Sequence, residues 1–182
     1  MKMLVHRTPA ATGAPFDLPA IKVHVRVDDG SEDAALTNIG HTAASEIEHF
    51  AQIALLRQTI VVTILGPDLD DTLYLPIGPA LPDAEPSVSI NGQAFTDFLY
   101  FPFTRPVIVW GASYLATIPQ RVDIEYQAGF GDTAADIPPD LAQALMDQAA
   151  LHFDGRSPMS AKELTTSPHM ARIGARYRGV KA

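Results

Sequence analysis

The 182-residue chain contains no cysteine, which excludes a disulfide framework, thiolate zinc sites, iron–sulfur clusters and cysteine nucleophiles. It also lacks a long apolar run. The longest mostly apolar stretch, Val107 to Ile118, is interrupted by Gly111, Ser113 and Thr117, and it is well short of the roughly 20 residues a spanning helix needs. Lys2 and Arg7 are followed by Pro9, Pro15, Asp17 and Pro19 rather than by an apolar core, so no secretion signal and no membrane partner are expected. No phosphate-cradling G-x-x-x-x-G-K-[ST] loop occurs, and Gly129-x-Gly131 lacks a third glycine and opens no helix directly. There is no G-x-S-x-G elbow; Ser45, Ser89 and Ser113 fall within predicted helix or strand. Internal repeats and low-complexity runs are absent as well.

What is present describes one globular chain. Apolar residues make up 47% and charged residues 19%, enough for a self-sufficient core and too apolar for disorder. The net charge of −8 is unevenly distributed. From Asp154 to the end, six basic residues face two acids, a net of +4, which leaves −12 on the preceding body. Such an asymmetry marks either a tail that docks on nucleic acid or an acidic protein surface, or a solvated tail.

Periodicity sets out an α+β chain. A short helix is predicted over Leu18 to Val25. A long amphipathic helix, about 32–56, follows, capped by Ser31, with Glu32 and Asp33 in its first turn and Leu36, Ile39, Ala43, Ile47, Phe50 and Ala54 at spacings of three and four. Strands are predicted at Thr59 to Leu65, Thr72 to Leu75, Ser87 to Ile90, Ala94 to Tyr100 and Arg121 to Tyr126. Asn91-Gly92 marks a hairpin, and Val122, Ile124 and Tyr126 form the inner face of the last strand. Pro76, Pro79, Pro82 and Pro86 exclude a central strand between them. A third helix, about 138–153, starts at a proline. The expected organisation is therefore a small helical bundle with an antiparallel β region (58–127) inserted between two helices, residues 1–153 as one domain, and an extended basic C-terminal tail over 154–182.

The chemical candidates are few. Glu46-x-x-His49, with His41 upstream on the same helix, has metal-ligand spacing but lacks the second E-x-x-H and the further carboxylates of a di-metal site, so a solvated helix face is expected. Asp68-Leu69-Asp70-Asp71 lacks the spaced ligands of a calcium loop and reads as a polar turn. Phe95, Phe98, Tyr100, Phe101 and Phe103 cluster beside Arg105 alone, which suits a core face or a subunit contact better than a base-stacking groove. Neither an enzymatic activity nor a cofactor or metal is expected.

Three stretches taken together resemble the head–tail connector (adaptor) family of tailed phages, also found in phage-like gene transfer agents. The first is Leu18-Pro19-Ala20-Ile21-Lys22-Val23-His24-Val25-Arg26-Val27-Asp28, followed by the helix start Glu32-Asp33-Ala34-Ala35-Leu36. The second runs from Val122 through Tyr126, Gly129, Phe130, Gly131 and Asp132 to Ile137-Pro138-Pro139-Asp140-Leu141 and the helix to Phe153; the third is the closing Tyr177-Arg178. Ile173-Gly174 departs from the family, which more often has two bulky leucines there, and Arg176 stands where a small residue or proline is usual. The resemblance implies a structural protein that forms a dodecameric ring below the portal, extends the DNA channel and offers a platform to the stopper. DNA passes without sequence-specific binding, and the protein resides in the neck of a virion or phage-like particle after assembly in the bacterial cytoplasm. It further implies that the C-terminal segment reaches the portal, which points to Arg172, Arg176, Tyr177 and Arg178 as docking residues. An accessory protein that binds nucleic acid through the basic tail is the alternative from another class.

Overall fold

A computed structural model describes residues 2–156 and 166–178. Eight strands and four α-helices are present among them, and every strand pair is antiparallel, an α+β fold. The chain divides into two compact units, one built from the described parts of residues 1–11 and 56–130 and the other from those of 12–55 and 131–182.

The first unit is all β. A five-stranded sheet has the order β1 (Lys2–Pro9), β2 (Gln58–Leu65), β8 (Arg121–Ala128), β4 (Ser87–Ile90), β5 (Gln93–Ala94). The β-branched run of β2 and the alternation of β8 bring Ile60, Val62 and Ile64 opposite Tyr126, Ile124 and Val122, all buried. A two-residue period places one side of each strand in the core and leaves Thr63, Asp123 and Glu125 on the other face. Asn91 and Gly92 both adopt positive φ (51° and 81°), the conformation a two-residue hairpin turn requires. The arm after the turn is only two residues long. Phe98–Phe101 (β6) leaves for a separate three-stranded sheet, ordered β3 (Thr72–Tyr74), β7 (Val107–Trp110), β6.

The proline-rich segment forms no strand of its own and meets β8 through a single antiparallel bridge, Ala80 to Ala128. Buried Tyr126 donates its hydroxyl hydrogen to the Ile77 carbonyl (2.8 Å), and its oxygen accepts from the Ile77 N–H (3.1 Å). Side-chain bonding thus satisfies backbone groups that the prolines keep out of a ladder. The aromatic cluster splits in two. Phe95 and Phe98 pack edge-on to Trp110, which stacks on Tyr114 at 4.5 Å, whereas Phe101 and Phe103 stack on each other at 5.9 Å and stay exposed.

The second unit is helical: α1 (Leu18–Val25), α2 (Asp33–Ala51), α3 (Pro139–Asp154) and α4 (Pro168–Tyr177). Ile21, Leu36, Ala43, Ile47, Leu141, Leu145, Ala149, Met170 and Ile173 are all buried in it. Lys22 pairs with Asp33 at 2.6 Å and Arg156 with Glu32 at 2.6 Å, tying α1 and the end of α3 to the start of α2.

Three expectations are corrected. The long helix ends at Ala51 rather than near 56, because Gln52 takes the left-handed conformation (φ 55°) and Glu48 Oε1 accepts the Leu55 N–H at 2.7 Å, turning the chain out of the helix. The strand expected over Ala94 to Tyr100 is split between β5 and β6 of two different sheets, and Lys2–Pro9, for which no element is predicted, form β1. The extended tail is a helix over residues 168–177, packed on α2 and α3. The rest of the predicted tail, 157–165 and 179–182, lies outside the described residues.

Candidate functional site: the C-terminal helix

Local sequence accounts for α4. Ser167 is its N-cap, its Oγ accepting the Met170 N–H at 3.0 Å, and Pro168 occupies the first helical position, where a missing donor costs nothing. Met170, Ile173, Gly174 and Tyr177 recur at spacings of three and four and form the inward face. Gly174 matters at that face. A Cβ there would lie 2.6 Å from the Phe50 ring, so the helices approach closely only without it. This accounts for glycine where the resembling family prefers a bulky residue.

Polar contacts then fix the helix to α3. Buried Gln148 accepts the Ser167 N–H through Oε1 (2.7 Å) and donates through Nε2 to Glu46 Oε2 (2.7 Å), which also takes the His152 imidazole at 2.9 Å. Asp147 receives His24 of α1 on one carboxylate oxygen at 3.1 Å and His169 of α4 on the other. A cleft of about 290 Å³ lies beside this network, lined by Glu46, His49, Phe50, Gln148, His152, Thr166 and Met170.

The four docking candidates separate into two pairs. Arg172 and Arg176, one turn apart, point outward and are exposed, and Arg176 in the last turn complements the helix dipole. A guanidinium is a planar donor fork that matches the geometry of a carboxylate. Tyr177 and Arg178 instead engage their own chain. The Tyr177 hydroxyl donates to Asp140 Oδ1 at 2.9 Å, and its pKa is pushed up to about 12 by burial, by that hydrogen bond and by the adjacent carboxylate charge. The Arg178 guanidinium lies 5.8 Å from the centre of the Phe50 ring.

The other candidates are not brought together. His49 bonds the Ser45 carbonyl on its own helix, His41 packs edge-on to Phe16, and Glu46 reaches across to α3. Among the described residues no group of three or more histidine or acidic side chains is arranged to hold a metal ion, and no helix is long and apolar enough to cross a membrane. Sequence reasoning misses α4 and Gln148. The Ser167-Pro168 start and the 170/173/177 spacing are the signal that would have shown the helix; nothing local marks Gln148.

Solved structures share this architecture over nearly the whole chain. One, from the virion of a native gene transfer agent (GTA) particle, aligns with a TM-score of 0.78 and 27% identity, covering 98% of this chain and 97% of its own. The chain is similar to chains of gene transfer agent particles. A second, from the neck of an empty GTA particle computed with C6 symmetry, aligns at 0.74 and 26% identity with the same coverage. A third, from the neck of a native GTA particle computed with C12 symmetry, aligns at 0.76 and, at 24% identity, speaks to the fold alone. No family model and no curated protein matches the chain.

Proposed function

We propose that the chain is a structural component of the neck of a gene transfer agent or related phage-like particle, serving as the head–tail connector (adaptor). The observation that carries this reading is the whole-chain similarity to a GTA virion chain and a GTA neck chain at identities above 25%. In this role copies form a ring under the portal, twelve-fold as the sequence resemblance implies, and hand over to the stopper. Closed rings use head-to-tail contacts, so each copy presents two different surfaces. The C-terminal segment docks on the portal, with Arg172 and Arg176 supplying the outward contacts and Tyr177 and Arg178 fixing the end of α4. The −12 body supplies an acidic lining along which DNA moves without sticking.

The test is the mass distribution of the full-length protein, alone and mixed with portal from the same genome, beside a full-length Arg172→Ala/Arg176→Ala chain that keeps α4. Co-assembly with portal into a ring complex supports the connector. A monomer that ignores portal and shifts on random DNA, with a steep salt dependence, supports the nucleic-acid alternative instead. Replacing both Arg172 and Arg176 by Ala should weaken portal co-assembly by about tenfold or more with an unchanged melting temperature. Undiminished co-assembly of that variant would remove these two residues from the docking role.

A further inference from the structure

Of the eleven exposed large apolar side chains among the described residues, ten lie in the β unit; Val23 on α1 is the exception. Two groups stand out. The first is on β1, an edge strand that among the described residues pairs with β2 alone. Along the row Val5–Val62–Ile124–Val88 the exposures are 42%, 0%, 0% and 5%, so the cover over the sheet's inner face stops short of β1. Leu4, on the opposite face, is 48% exposed. An eight-residue edge strand with apolar side chains open on both faces offers a surface for another chain to cover.

The second group is the outer face of the three-stranded sheet. Ile108 and Trp110 point inward and are buried, while Tyr74, Leu99 and Phe101 point outward, with Phe103 stacked on Phe101. No charged residue lies within β3, β6 or β7. An uncharged, partly aromatic face of this kind has the composition of an interface centre rather than of a channel wall. The segments that carry the two groups differ in charge, while Asp123 and Glu125 share the sheet face of Leu4 and Arg105 follows Phe103. β1 carries Lys2 and Arg7, and no acid occurs before Asp17, whereas Asp68, Asp70 and Asp71 immediately precede β3.

We propose that these are the two halves of one head-to-tail contact between copies of this chain, β1 of one copy receiving the outer face of the three-stranded sheet of the next. The inference rests on the neck reading, since a ring needs two different, mutually complementary surfaces on every copy, and a single self-complementary patch would close a two-fold dimer. Apolar groups supply the burial, and the basic strand against the acidic rim sets the direction of the pairing.

The absence of cysteine makes the test specific. Full-length Leu4→Cys and Leu99→Cys chains are mixed and treated with a short bifunctional maleimide, alone and with portal. The mixed pair should link about tenfold faster than either variant with itself or than Leu99→Cys with a Val23→Cys control. A Leu99→Lys/Phe101→Lys chain should lower ring formation by a similar factor of about ten while its thermal melt is unchanged, both residues being exposed. A mixed-pair rate equal to the control, or dominant Leu99→Cys self-linking, overturns the contact. Rings that form on portal without linking at these positions overturn the contact and leave the neck reading standing. Absence of rings and of links overturns both.

Discussion

Gln148→Leu tests how α4 is held. Leucine has nearly the same volume, so the packing of α3 is retained while two hydrogen bonds disappear. The Ser167 N–H, in a residue 7% exposed, loses its acceptor, and a buried amide left unpaired costs about 1–3 kcal/mol. Glu46 loses one charge-assisted donor. Its side chain is 38% exposed and keeps His152, so that loss is discounted to about 1 kcal/mol. The expected destabilisation is about 2–4 kcal/mol, a melting temperature lower by roughly 5–12 °C for a chain of this length. The loss should be concentrated at the start of α4, where hydrogen exchange of the Met170 to Gly174 amides reports it directly. Gln148→Glu separates the two contributions. It retains an acceptor for Ser167 but sets a second carboxylate against Glu46, so its deficit should shrink as pH falls and one carboxyl takes up a proton, whereas that of the leucine variant should not. A loss below about 0.5 kcal/mol for Gln148→Leu, with α4 protection unchanged, would refute the assigned role of this residue.

Tyr126→Phe should cost about 1–3 kcal/mol by urea unfolding, because both backbone groups of Ile77 lose their partner inside the β unit; a neutral outcome would show that packing and the backbone bonds of Pro79, Ala80 and Leu81 hold the segment without the Tyr126 hydroxyl. Gly129→Ala should be more severe, about 3 kcal/mol or more, since φ is 141° and a Cβ would come within 2.6 Å of the Leu56 carbonyl carbon, a backbone atom that cannot swing aside. Soluble expression and a thermal melt check it, and a wild-type melt would contradict it. The raised pKa of Tyr177 favours the neutral phenol in the folded state, so its contribution is complete below the ordinary tyrosine value near 10 and is lost as pH rises through about 12. Tyr177→Phe should therefore flatten the alkaline limb of stability against pH. An unchanged limb would assign that limb to other groups.

Elements with a strong local period were legible. Leu18–Val25 matches its expected span, β8 buries Val122, Ile124 and Tyr126 as alternation requires, and Asn91-Gly92 turns the chain as its positive-φ preference demands. The helix end at Ala51 was not legible, since apolar spacing continues to Ala54; the αL residue Gln52 and the Glu48 side chain decide it. β1 was not legible either, because a strand that buries neither face carries no alternation to detect. The tail helix carried weak but readable signals in Ser167-Pro168 and in the spacing of Met170, Ile173 and Tyr177.

By itself the sequence determined the α+β class, the exclusion of thiol chemistry, the excess of acid in the body over the C-terminal segment, and the order of motifs that resembles a connector. The first three follow from composition and from periods of two and 3.6 residues, which are local properties of a chain, and the last rests on the likeness of three stretches to a known family. Only the tertiary structure decided that Phe98–Phe101 leaves its hairpin for a second sheet, and that Gln148 rather than His49 is the partner of Glu46. It likewise decided that Arg172 and Arg176 face outward while Tyr177 turns in to Asp140. Each of these depends on which residues far apart in sequence meet. Such meetings are selected by packing and by the satisfaction of buried polar groups across the whole fold, and no window along the chain contains that information.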